Sequence, residues 1–169
     1  MKKKILVLDL DETLVHSTQH TKSDFMVEVL FEKHICMYYV TKRPFCDVFL
    51  KTISKWYKIV VFTASIPEYA DPVLDWLDPN GLISKRYFRN SCTRFESSFT
   101  KDLTIVDSDL SNMVLIDNSS ICFALQPDNG IVIESWIHDK NDVGLLNLIP
   151  VLDALRFTKD IRSILSLRI

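Results

Sequence analysis

Four unbroken apolar runs of three or four residues punctuate this chain: Ile5-Leu6-Val7-Leu8, Ile59-Val60-Val61-Phe62, Met113-Val114-Leu115-Ile116 and Ile131-Val132-Ile133. A strand with one face in water alternates apolar and polar residues, whereas these runs do not alternate. They therefore read as strands buried on both faces, at the centre of a parallel sheet. Helical spacing lies between them. Pro44 suits a first helical position, and Phe45, Val48, Phe49, Ile53 and Trp56 predict a helix over about Pro44 to Trp56. Pro67 opens a second helix carrying Tyr69, Val73, Leu74 and Leu77, closed by Pro79-Asn80-Gly81. The region from Asp142 to Leu167 reads as helical, with Leu145, Leu146, Leu148, Ile149, Leu152 and Leu155 as its core face despite Pro150.

Strands alternating with helices define an α/β protein with a Rossmann-like, doubly wound parallel sheet. One departure follows the first strand directly. Phe25 to Phe31 and Ile35 to Val40 are two β-rich runs around Glu32-Lys33-His34, predicting a β-hairpin insertion over about 25–41. Residues 1–169 are expected to form a single domain, with this hairpin as its only insertion and no large cap domain.

The polar residues at the strand ends carry the candidate chemistry, because in open α/β sheets ligands bind beyond the carboxyl ends of the strands. Asp9 and Asp11 end the first run, and side-chain alternation places both on one side while Leu10 turns to the core. Thr63 ends the second run, and Asp117 and Asn118 end the third. Lys101 falls between the last two. Carboxylates, a hydroxyl, an amide and an ammonium in one crevice suit metal-assisted phosphoryl transfer, and hard oxygen ligands of this kind suit Mg2+. A second D-x-D, Asp107-Ser108-Asp109, follows no buried run and reads as a loop.

Composition narrows the alternatives. With 169 residues the chain can bury roughly 70% of its unfolded surface without a structural metal or disulfide. Three glycines argue against a glycine-rich phosphate loop, and a net charge of -2 without an obvious basic face argues against direct nucleic-acid binding. Lys2 to Lys4 is too short a basic run to count and is expected to solvate the first strand. The four cysteines form no C-x-x-C pair, as expected of a reducing intracellular compartment, nuclear or cytoplasmic. No stretch reaches the ~18 apolar residues that span a bilayer, so the chain is expected to carry no membrane segment and to be a soluble monomer.

Taken in order, Asp9-Leu10-Asp11-Glu12-Thr13-Leu14-Val15-His16-Ser17, Lys42-Arg43-Pro44, Phe62-Thr63-Ala64-Ser65, Tyr69-Ala70-Asp71-Pro72, Lys101-Asp102-Leu103 and Leu115-Ile116-Asp117-Asn118-Ser119 resemble the small carboxy-terminal-domain phosphatases of the haloacid dehalogenase superfamily. The resemblance covers nearly the whole chain. It implies hydrolysis of phosphoserine or phosphothreonine in a phosphoprotein or phosphopeptide, the best-known family substrate being the carboxy-terminal repeat tail of RNA polymerase II. It further implies Asp9 as nucleophile, Asp11 as general acid and then base, and Mg2+ held by Asp9, the Asp11 carbonyl and Asn118 with Asp117 beside it. Thr63 and Lys101 would bind phosphoryl oxygens, and Ala64, Tyr69 and Arg89 would contact substrate. Two other readings stay open within the same fold, a binding scaffold without activity and a small-molecule phosphatase. An aromatic follows the His-Ser pair in the polymerase-tail enzymes, whereas this chain has Thr18-Gln19-His20.

Overall fold

The computed structural model describes residues 2–20 and 22–167. In chain order its elements are β1 (Lys4–Leu8), β2 (Val15–Thr18), β3 (Phe25–Phe31), β4 (His34–Lys42), α1 (Cys46–Ile53), β5 (Tyr57–Phe62) and α2 (Pro67–Leu77), followed by β6 (Ile83–Tyr87), β7 (Thr93–Phe95), β8 (Ser98–Thr100), β9 (Met113–Asp117), β10 (Gly130–Val132), α3 (Gly144–Leu155) and α4 (Arg162–Leu165).

The apolar runs lie together because each needs cover on both faces. They form, with β6, a sheet of order β10-β9-β1-β5-β6 in which every neighbouring pair is parallel. Counted by appearance, the strands read 3-2-1-4-5 from β6 to β10. The chain thus leaves β1 toward β5 and comes back on the other side at β9. Between β1 and β9 lies the topological switch point, where the two flanking connections diverge and leave a crevice.

Alternation along β1 sends Leu6 and Leu8 to one face, against residues of α1, α2 and α3, and Ile5 and Val7 to the other. That second face is covered by Leu103, Cys122 and Phe123, which sit in 3-10 turns. Side chains explain the turns. Asp102 Oδ1 accepts from the Thr104 N–H at 3.0 Å and Asp109 Oδ1 from the Ser111 N–H at 3.1 Å, local bonds that compete with a continuing helix. Asp107 likewise accepts from the Asp109 N–H, so the second D-x-D is turn chemistry.

The insertion has three strands, not two. In the order β2-β4-β3, His16 pairs with Thr41 and Ser17 with Val40. β2 has only one apolar residue, Val15, and carries no periodicity to betray it. Phe25 stacks on Trp76 at 5.1 Å and Tyr38 meets Tyr69 edge-on at 5.3 Å, which fastens this small sheet to α2.

Three expectations are corrected. α1 begins at Cys46 rather than Pro44, because Phe45 takes the left-handed conformation (φ 66°) and breaks the helical path; Phe45 and Val48 consequently remain exposed. The single helical region at the end is split into α3 and α4, since the Thr158 hydroxyl bonds the Leu155 carbonyl and Asp160 bonds the Arg162 N–H, ending one helix and starting another. Lys4 does not solvate its strand: it is buried, and its ammonium donates to Asn112 Oδ1 and to the Thr158 carbonyl. Among the described residues no helix is long and apolar enough to cross a membrane.

Candidate active site

Every residue that ends a buried strand of this sheet next to the switch point is brought to one hollow of about 290 Å³. Asp9, Asp11, Thr63, Ala64, Arg89, Lys101, Asp117 and Asn118 line it together. The Asp9 N–H bonds the Ile116 carbonyl at 3.0 Å, so the β1 and β9 ends stay in step and the acids at positions 9 and 117 emerge as neighbours.

At the centre is a buried charge cluster. Lys101, only 1% exposed, donates from Nζ to Asp9 Oδ1 at 2.9 Å and to Asp117 Oδ2 at 2.5 Å. A lysine this buried is held only by such partners. Thr13 Oγ1 donates to Asp9 Oδ2 at 2.9 Å. Burial nonetheless outweighs the pull of Lys101 and, with help from Asp117, pushes the Asp9 carboxyl up to about 6. The two carboxylates hold Lys101 above the ordinary lysine value.

Asn118 shows what the remaining oxygens suit. One atom of its amide lies 2.9 Å from Asp9 Oδ2 and 3.2 Å from Asp117 Oδ1, while the other lies 2.8 Å from Ser135 Oγ. With nitrogen toward the acids, the amide donates to both. With its oxygen there, the amide stands 2.9 and 3.2 Å from a carboxylate oxygen of each acid, close to the roughly 2.9 Å between neighbouring ligands of an octahedral cation with metal–oxygen bonds of ~2.05 Å. Two carboxylates and an amide oxygen are hard donors of the kind that suit Mg2+.

Asp11 is held apart from this cluster. Ser65 Oγ donates to its Oδ2 at 2.6 Å and Tyr69 Oη to its Oδ1 at 2.7 Å. Tyr69, expected to contact substrate, therefore gives its hydroxyl to Asp11, and its own pKa rises through burial and the adjacent carboxylate. Ser65 has no role assigned from the sequence, although it closes the Phe62-Thr63-Ala64-Ser65 motif. Thr63 Oγ1 accepts from the Ser65 N–H at 3.0 Å, which leaves its hydroxyl proton free for the hollow. Arg89 Nε donates to the Ala64 carbonyl at 2.6 Å, holding the guanidinium at the rim. Arg94, five residues on, lies over Phe99 and does not line the hollow. A second hollow of about 660 Å³ adjoins the first, shares Asp11, Glu12, Ser65 and Arg89 with it, and runs beneath the three-stranded sheet past Val29, Tyr38 and Tyr69.

A buried carboxylate, a lysine bridging it to a second acid, and this sheet order are the frame of the haloacid dehalogenase class of phosphatases. A family model described as NLI interacting factor-like phosphatase matches residues 4–162, and the chain belongs to that family. It is a protein phosphatase of the carboxy-terminal-domain (CTD) type. CTD nuclear envelope phosphatase 1 of Xenopus tropicalis is 48% identical over 177 residues, covering 98% of this chain and 72% of that protein. Nuclear envelope morphology protein 1 of Saccharomyces cerevisiae is 45% identical over 188 residues, covering 99% of this chain and 42% of the yeast protein. The fold matches the solved structure of Fcp1, an essential RNA polymerase II CTD phosphatase, with a TM-score of 0.70 at 22% identity, covering 98% of this chain. The chain spans about half of that solved chain, 52%.

Proposed function

We propose that this protein removes phosphate from phosphoserine or phosphothreonine in flexible segments of other proteins, carrying the phosphoryl group transiently on Asp9. The observation that carries the reading is the Lys101 ammonium set between Asp9 and Asp117 at the switch point. Such a cation lets an anionic nucleophile approach an anionic ester. Asp9 attacks phosphorus as the Asp–phosphate bond forms and the bond to the serine oxygen breaks. Asp11 gives that oxygen its proton, then takes one from the water that cleaves the acyl phosphate and releases inorganic phosphate. Both Asp11 oxygens accept hydroxyl protons at rest, the arrangement of a carboxylate. Thr63 and Lys101 hold the phosphoryl oxygens. Asp9, the Asp11 carbonyl and Asn118, with Asp117 beside them, would hold Mg2+, which when bound would supply positive charge against the phosphoryl oxygens.

Magnitudes assign the roles. Enhancements of phosphomonoester hydrolysis approach ~10^21-fold, or roughly 28 kcal/mol. Acid–base help from Asp11 contributes only ~10^2 to 10^4. Charge stabilisation by Lys101 and Mg2+, together with positioning, must carry most of the remainder.

The relatives' names support action on protein chains at or near the nuclear envelope, and Fcp1's title names the polymerase II CTD. A phosphoserine segment of that flexible kind is the substrate class we assign. The test sets Mg2+-dependent hydrolysis of an aryl phosphate beside that of phosphoserine peptides, with Asp9→Asn as the control. Both should be hydrolysed, the variant should be inactive, and brief acid quenching of the wild type should leave a phosphoryl adduct on Asp9. Turnover of the aryl phosphate alone would favour a small-molecule phosphatase, and no turnover a binding scaffold.

A further inference from the structure

On the other side of His16 from the catalytic crevice lies a third hollow, of about 510 Å³, within the ~300–1,000 Å³ range of ligand sites. Its floor is apolar, with Tyr39 and the buried indole of Trp136. Its rim carries Lys22, Lys42, Lys140 and His138, and no acidic side chain lines it. This is not a reflection of composition, since the chain as a whole is net negative at -2. Lys42 is matched by Asp47 at 2.9 Å, but among the described residues neither Lys22 nor Lys140 has an ion-pair partner.

The hollow is built rather than incidental. The Trp136 N–H bonds the Glu12 carbonyl at 2.9 Å, tying the loop that bears His138 and Lys140 to the catalytic turn. Farther along the same loop, the carboxylate of Asp142 is clasped by buried Arg43 through bonds of 2.7 and 3.0 Å. His16 lines both this hollow and the larger one beside the crevice, so the two adjoin at that side chain.

We infer that this basic hollow binds acidic residues of the same polypeptide whose phosphoserine occupies the crevice, and so selects phosphorylation sites flanked by acidic sequence. The inference rests on the protein-phosphatase reading and adds to it the chemistry of the flanking segment. A peptide fits better than a lipid surface: the site is concave, and its indole, 3% exposed, lies on the floor where it cannot enter a headgroup layer.

The experiment compares phosphoserine peptides that differ only in three glutamates or three glutamines, placed on one side or the other of the phosphoserine. For wild type, kcat/KM should be about tenfold higher for the glutamate peptide on one of the two sides, mostly through KM, as expected of two or three exposed charge pairs, and the advantage should shrink with added salt. The Lys22→Ala/Lys140→Ala variant should lose that advantage while hydrolysing an aryl phosphate at the wild-type rate. Lys22→Glu/Lys140→Glu should reverse it. Equal rates for both peptides in wild type, or a preference that survives in the alanine variant, overturns the inference. So does loss of binding to phosphatidylserine vesicles in the variant with peptide preference unchanged, which would make the surface a membrane contact. Failure to hydrolyse either peptide, with aryl phosphate still turned over, would instead overturn the phosphopeptide reading beneath it.

Discussion

Replacing Lys101 by Met keeps most of the side chain's volume and removes its charge, which isolates the electrostatic part of its role. Two carboxylates then face each other with side-chain exposures of 9% and 1% and no cation between them. Removing one partner from a buried pair costs about 3–5 kcal/mol, and for a chain of this size each kcal/mol lowers Tm by roughly 2–4 °C. Urea unfolding in the presence of chelator should therefore show a lower midpoint at unchanged slope. The loss should lessen as pH falls toward about 5. With the lysine gone, burial still makes native Asp9 hold its proton more tightly than the unfolded chain does, and such a group stabilises the native state at low pH and loses that contribution as pH rises through its folded value. The same 3–5 kcal/mol, applied to a transition state that adds phosphoryl charge to this cluster, predicts a fall in kcat of at least ~10^2 to 10^4. A variant that loses under about 1 kcal/mol and keeps turnover within tenfold would show that Lys101 neither holds the carboxylates nor serves the chemistry.

The remaining predictions concern neighbours of that cluster. Because Asp9 is pushed up to about 6 from 3.8, chelated protein should lose up to roughly 3 kcal/mol of stability as pH rises from about 4 to 6, measurable by urea titration at each pH. At limiting Mg2+, activity should fall as pH drops below about 6 and Asp9 takes its proton, and more Mg2+ should move that limb to lower pH. Ser65→Ala and Tyr69→Phe should each lower kcat on a phosphoserine peptide about tenfold while barely changing an aryl phosphate, whose leaving oxygen needs little protonation. Equal losses on both substrates would place these hydroxyls elsewhere in the mechanism. Arg43→Met, which strips Asp142 of two charge-assisted bonds and the Thr13 carbonyl of a third, should cost about 3 kcal/mol by denaturant midpoint.

Legibility in the sequence followed the distance over which each feature is encoded. The strands that carry Asp9, Thr63 and Asp117 were readable because burial on both faces leaves an uninterrupted apolar run, and the acids sit at a run's end. Lys101 stands apart from any run, and only its place between the strand-end residues Thr63 and Asp117, together with the family resemblance, marks it out. β2 escaped notice because the residues Val15 to Thr18 form a strand by pairing with β4, which no local pattern records. The α1 boundary failed for a related reason: a proline fixes its own φ but cannot announce that Phe45 next to it turns left-handed. The bonds from Ser65 and Tyr69 to Asp11 join residues more than fifty positions apart. The basic hollow draws on three segments, around Lys22, Lys42 and Lys140, none of which is basic by itself.

The three-stranded sheet flanks the reaction centre without roofing it, and nothing has to swing aside before a long polypeptide can be laid across the site. On the proposed reading, water would approach an acyl phosphate on Asp9 from the same open side as substrate. On that reading, too, a phosphoserine in the middle of a chain would reach Asp9 as readily as one near its end.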